Sequence, residues 1–181
     1  MPSSSTLIEL TRRYCEPHRR YHGIQHIAAI LAAARDLELS DAQVLAIWFH
    51  DAIYGPRSTS NERDSADLAE RLLTRDGVDA ATIDLVQRIV MDTVHHRPSC
   101  PESELVIDLD LSSLALPRRH YEANTVRIRA EYSHVTDEQF AQGRKQFIEG
   151  ILARPRIYTT VWGSQHEAPA RTNLGLDLED L

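Results

Sequence analysis

The stretch "IQHIAAILAAARDLELSDAQVLAIWFHD", residues 24–51, decides how the chain folds. Ile27, Ile30, Leu31 and Ala34 recur at the spacing of one helical face, and that helix ends near Leu37. Ser40 followed by Gln43 reads as a capping box, so a new helix opens there and runs through Val44, Ile47 and Trp48 until "YGP" stops it. Only a few residues separate the two helices, which must therefore fold back as an antiparallel pair. His26 lies 13 residues before Leu39, and His50 and Asp51 lie 11 and 12 after it. At about 1.5 Å of rise per residue the three levels agree within about 3 Å, close enough for one ion to touch both helices. As neighbours on a helix, His50 and Asp51 are expected to point about 100° apart and to straddle such an ion rather than face each other.

Helical spacing continues along nearly the whole chain, and alternating strand-like stretches are scarce. The expectation is an all-α, single-domain helical bundle over residues 1–181, with a core at about 19–153 and a C-terminal extension at 154–181. Leu7, Leu10 and Tyr14 mark a first helix. Leu68, Leu72 and Leu73 mark a fourth, closed by Gly77, and Asp79 caps a fifth through Ile83, Val86, Ile89 and Val90 that ends at "RPSCP". "ELVIDLDLSSLAL" is ambiguous between helix and strand and is read as a sixth helix. Pro117 opens a seventh toward Tyr132, and Thr136 with Gln139 is a second capping box. The tail from Ile157 is mixed, with a turn or helix near Ala170.

The bulk numbers bound the function. Hydrophobic content of 42% and charged content of 26% fit a globular chain with a true core. A net charge of -7 argues against binding duplex nucleic acid, which needs a basic surface. The longest apolar run, "IAAILAAA" at 27–34, is far below the roughly 18 residues of a membrane span. Cys15 and Cys100 have no Cys-x-x-Cys spacing, and the start "MPSSSTLIEL" lacks the pattern of a signal peptide, so a cytoplasmic location is expected.

A third element must complete any metal site. "DLDL" offers Asp108 and Asp110 inside an apolar segment, where an unpaired carboxylate is costly, so one of them is expected to face the site. The plainer alternatives are a hydrogen-bonded core histidine at 26 and a polar helix end at 50–51.

The segments "RRYHGIQHI", "WFHDAIYG", "NERDSADLAERL", "DTVHH" and "DLDLSSLAL", in that order, resemble the HD-domain superfamily of metal-dependent phosphohydrolases. The later "IRAEY", "ARPRIYTT" and "EAPARTNL" are similar to a branch of predicted phosphohydrolases of about this length, so the resemblance spans about Arg19 to Leu174. It implies His26, His50, Asp51 and Asp110 as ligands of one divalent transition metal, with Asp51 also counted among the catalytic groups. The pattern departs at Gly23, where asparagine is expected, and near Ala115.

Two imidazoles and two carboxylates suit Mn²⁺, Fe²⁺, Co²⁺, Ni²⁺ or Zn²⁺, and an octahedral ion would leave two positions for substrate oxygen and an attacking water. In "NERDSA", Glu62 resembles an acidic residue that members of the superfamily place close to the metal, which implies a general acid or base, although Thr59 and Glu62 also read as a capping box. Arg19 and Arg20 are nominated for the substrate phosphate, and His22 and His96 for the pocket wall. His95 and His96 could equally favour the dipole at a helix end. The expected activity is hydrolysis of a small phosphoester such as a nucleotide or related metabolite. A non-catalytic metal or nucleotide sensor and a di-iron oxygenase are the competing readings, and a homo-oligomer is left open.

Overall fold

A computed structural model describes residues 2–181. Among them the chain is all helical, with no strand and no helix long and apolar enough to cross a membrane. Helix α1 (Ser4–Tyr14) starts at Ser3, whose side chain caps Thr6 and also donates to Asp76 at 2.9 Å. Helices α2 (Ile24–Ala33) and α3 (Asp41–Phe49) form the pair expected from the opening stretch, and the Ser40–Gln43 capping box is made. Gln43 then donates onward to the Glu102 carbonyl at 2.9 Å.

Helix α4 (Asn61–Arg75) ends before Gly77, whose φ of 77° is a conformation that glycine adopts freely. Helix α5 (Ala80–Asp92) is capped by Asp79, as expected, but stops earlier than expected. Thr93 terminates it by returning its hydroxyl to the Val90 carbonyl at 2.7 Å, and the Asp92 carboxylate accepts from Ser99 and Ser103. His95 and His96 therefore lie in a turn beyond the helix, with His96 at a φ of 47°.

The ambiguous apolar segment is a helix, α6 (Pro101–Leu111), continued by a 3-10 turn at Ser112–Ala115. Its apolar residues face both ways. Val106 and Leu109 join Leu10, Ile27, Leu45, Phe49, Leu72 and Ile89 in one core. Ile107 and Leu111 join a second core with Leu114, Tyr121, Ile148 and Ile151. A helix buried on both faces carries no polar stripe, which is why its period was unreadable. Each fully buried Leu or Ile contributes about 1.5–3 kcal/mol, so α6 couples the two cores strongly.

Helix α7 (Arg118–Glu131) and helix α8 (Asp137–Leu152), the latter with its Thr136–Gln139 box, supply the rest of the second core. The tail is more ordered than expected. A short α9 (Val161–Ser164) leads into α10 (Glu167–Glu179), and Ile157, Tyr158, Ala170 and Leu174 complete the second core. The expected extension is thus built into the fold.

Asp108 anchors that tail. Its carboxylate accepts from the backbone N–H groups of Thr159 (3.0 Å) and Thr160 (2.8 Å) and from the Thr160 hydroxyl (2.7 Å). A Cβ on Gly163 would fall on this carboxylate and lie 2.7 Å from the Tyr158 Cβ, so the packing there requires glycine. Asp108→Ala should destabilise the fold by about 3 kcal/mol in urea unfolding, because several buried donors lose their acceptor together. A loss below about 0.5 kcal/mol, the range of an ordinary surface change, would contradict that role.

Candidate metal centre

Helix α3 ends at Phe49, so His50 is its C-cap and Asp51 already lies in the following turn. The backbone at His50 is still helical (φ -56°, ψ -39°), and the two side chains, expected not to face one another, converge at their tips, as straddling one ion requires. His50 Nε2 lies 3.1 Å from Asp51 Oδ2 and 3.3 Å from His26 Nε2, and Asp51 lies 3.8 Å from His26. These three groups bring ligand atoms within 4.8 Å of one another and could hold a metal ion. The His50 Nδ1–H donates to the Ile47 carbonyl at 2.9 Å, which in the neutral ring leaves the Nε2 lone pair facing the cluster.

Of the two acids on α6, Asp110 faces this group. Its Oδ1 is 3.1 Å from His26 Nε2 and 3.6 Å from His50 Nε2, while its Oδ2 is 3.3 Å from His96 Nε2. Asp108 is turned toward the tail. Adjacent ligands of an octahedral ion at about 2.1 Å are about 3 Å apart, so separations of 3.1–3.8 Å fit a shared cation after small adjustment.

The charges agree with the geometry. Burial alone would lower the His50 pKa, but the Asp51 and Asp110 carboxylates outweigh it and hold the imidazole up at about 9. Burial works to raise the Asp51 and Asp110 carboxyls, yet the surrounding histidines hold both well below the ordinary range. With neutral imidazoles the cluster carries two negative charges in a buried place, which a divalent cation matches.

The cluster opens onto a cavity of about 670 Å³, a size that suits a small-molecule ligand. His22, Glu62 and His96 line it. Glu62 sits in the first turn of α4 and makes no hydrogen bond or ion pair among the described residues. The Thr59–Glu62 capping box does not form, because the helix begins at Ser60. His95 does not line the cavity, and its side chain is exposed.

Neither nominated arginine lines the cavity. Arg19 is buried between the rings of Tyr14 and Tyr54. It donates to the carbonyls of His22 (2.8 Å), Asp51 (2.7 Å) and Ala52 (3.0 Å). Its forked donors brace the turn that presents Asp51 and are engaged there rather than free for a ligand. The side chain of Arg20 is exposed, and its backbone N–H donates to Glu131 at 2.7 Å. The one Arg or Lys on the cavity wall among the described residues is Arg144. It is held by the Asp177 carboxylate at 2.7 Å and by the Tyr121 hydroxyl at 2.7 Å, with Nη1 left without a protein partner.

Glu131 is the other residue that sequence reasoning missed. Nearly buried, it accepts from the backbone N–H groups of Arg20, Tyr21 and His22 at 2.7, 2.8 and 2.9 Å. It also accepts from His22 Nδ1 at 2.6 Å and from the Tyr54 hydroxyl at 2.8 Å. One carboxylate thereby orders the segment entering α2 and orients His22. Its signal lay in "IRAEY", where the glutamate stands at the end of a helix with nothing local to mark it as buried.

Burial acts to raise the Glu131 pKa, but His22 and the backbone N–H groups dominate and hold it at about 2, below an ordinary value of 4.5. A depressed carboxyl contributes stability that is present above the unfolded value and lost as pH falls through the folded one. Stability should therefore drop by about 3 kcal/mol between pH 4.5 and pH 2 from this group. Glu131→Gln should be less stable at pH 7 and should lack this acid limb in denaturant titrations at stepped pH. Parallel curves for the two proteins would contradict the assignment.

Comparison of the chain with protein-family models, curated protein sequences and solved structures returns no match.

Proposed function

We propose that the chain is a metal-dependent phosphohydrolase of the HD-domain type, with His26, His50, Asp51 and Asp110 as ligands of one divalent transition metal. The observation that carries this reading is the convergence of two imidazoles and two carboxylates, from α2, the end of α3 and α6, at the wall of a cavity large enough for a small substrate. The ordered motifs from "RRYHGIQHI" to "DLDLSSLAL" support the same reading. A structural zinc site is disfavoured, because such sites are closed, whereas this cluster borders open space.

When bound, the ion would polarise a phosphate oxygen and lower the pKa of a water for attack. The chain's own groups divide the remaining work. Glu62, free of partners at the cavity wall, is placed to carry a proton to or from the reacting oxygens. His22, held by Glu131, and His96 offer hydrogen bonds to the phosphoryl group. Arg144, its charge paired with Asp177, offers its unpartnered Nη1 as a donor on the same wall. The apolar lining, including Leu111, Leu114, Ile128, Phe140 and Phe147, accommodates the body of a phosphomonoester and limits bulk water around the leaving oxygen.

A panel of phosphomonoesters with added Mn²⁺ should identify turnover by phosphate release. Asp51→Ala should lower the rate about a thousandfold or more by removing a ligand. Glu62→Gln should lower it about a hundredfold while metal content stays unchanged. An undiminished rate in Asp51→Ala would overturn the mechanism. Two irons per chain with no phosphate release would replace it with oxygen chemistry, and metal binding without any turnover would leave a sensor.

A further inference from the structure

A second cleft, of about 290 Å³, shares His96 with the large cavity and is lined by Arg97, Arg154, Arg156, Ile107 and Thr159 among others. No Asp or Glu lines it, and none of the three arginines has a carboxylate partner among the described residues. In a chain of net charge -7, carboxylates are plentiful, so three unpaired guanidinium groups around one hollow are unusual. The bland alternative is three solvated surface arginines, and two features speak against it.

First, Arg154 is fixed rather than free. It donates to the carbonyls of His96 (2.8 Å) and His95 (2.7 Å), while its Nε is enclosed with no partner. Burial and the nearby positive charge of Arg97 hold its pKa below the ordinary value, so the cationic form is left under-compensated there. Second, the turn it clamps is strained, since His96 is the one non-glycine residue with positive φ among the described residues. Like charges are thus gathered around a cleft next to a backbone held in an uncommon conformation.

We propose that this cleft, between the 95–98 turn and the 153–159 segment, is a binding site for a phosphate group gripped by Arg97 and Arg156, with Arg154 adding positive charge behind them. Guanidinium forks suit phosphate oxygens, and a bound anion relieves the repulsion among the three cations. Because Arg154 holds the His96 carbonyl and the His96 ring contacts Asp110, the site adjoins the metal centre through a single residue. The inference stands whether or not the large cavity hydrolyses a substrate. The phosphate could belong to a ligand spanning both clefts or to a separate effector, and the chemistry is the same.

Calorimetric titration of inorganic phosphate into the full chain tests it, with the double variant Arg97→Ser, Arg156→Ser as the comparison, since both side chains are exposed and their removal spares the core. Saturable binding should weaken at least about tenfold in the double variant, while Arg119→Ser, Arg127→Ser on α7 should bind as the unaltered protein does. Equal affinity in the double variant, or no saturable binding up to about 10 mM phosphate, would overturn the proposal. Pyrophosphate then separates the two sources. If its affinity also falls in His50→Ala, one ligand spans both clefts, and if not, the site takes a separate effector.

Discussion

Burial of α6 on both faces is the constraint from which the rest of the structure follows. Val106 and Leu109 close one core while Ile107 and Leu111 close the other, so the helix cannot rotate or shift without opening both. Two residues apart on a helix means about 200° around its axis. Asp108 and Asp110 must therefore face nearly opposite ways, and the apolar register decides which way each faces. Asp108 accepts the backbone N–H groups of Thr159 and Thr160, and Asp110 stands against His26 and His50. The same packing that assembles the domain thus delivers one carboxylate to the tail and one to the His26–His50–Asp51 cluster.

Around that helix, buried polar groups hold the turns that carry the cluster. Arg19 ties the carbonyls of His22, Asp51 and Ala52 together, and Glu131 collects the backbone N–H groups of residues 20–22 with the His22 ring. Both residues act on the backbone that carries His22, His26 and Asp51 rather than on a ligand directly. Such over-determination matters because a metal site tolerates little displacement of its ligands. Removing one partner would also strand a buried charge, a large cost at these depths.

Much of this was legible in the chain because the signals were local. The Ser40–Gln43 and Thr136–Gln139 capping boxes, the Asp79 cap and the apolar stripes of α2 to α5 each report on their own neighbourhood, and counting along the short turn before α3 brought His26 level with His50. The failures are non-local. Asn173 and Asp177 are buried polar residues, the first donating to the carbonyls of Leu114 and Leu116 and the second accepting from Tyr121 and Arg144, so α10 presented no apolar stripe. Arg19 and Arg20 looked like phosphate ligands because arginine near a histidine motif suggests anions, and nothing local reveals that one is sealed between two tyrosines. Arg144, on the cavity wall, carries no local mark that sets it apart from its neighbour Lys145 on α8. The close approach of His50 to Asp51 depends on side-chain rotamers at the end of α3, which periodicity does not report.

The central claim is that the side chains of His26, His50, Asp51 and Asp110 share one cation. Crystals grown with Mn²⁺ and measured for anomalous scattering test it most directly. The account predicts a single strong peak about 2.0–2.4 Å from both Nε2 atoms and from a carboxylate oxygen of each aspartate. Absence of a peak there at full Mn²⁺ occupancy elsewhere, or a peak bound to only one of the four side chains, would contradict it.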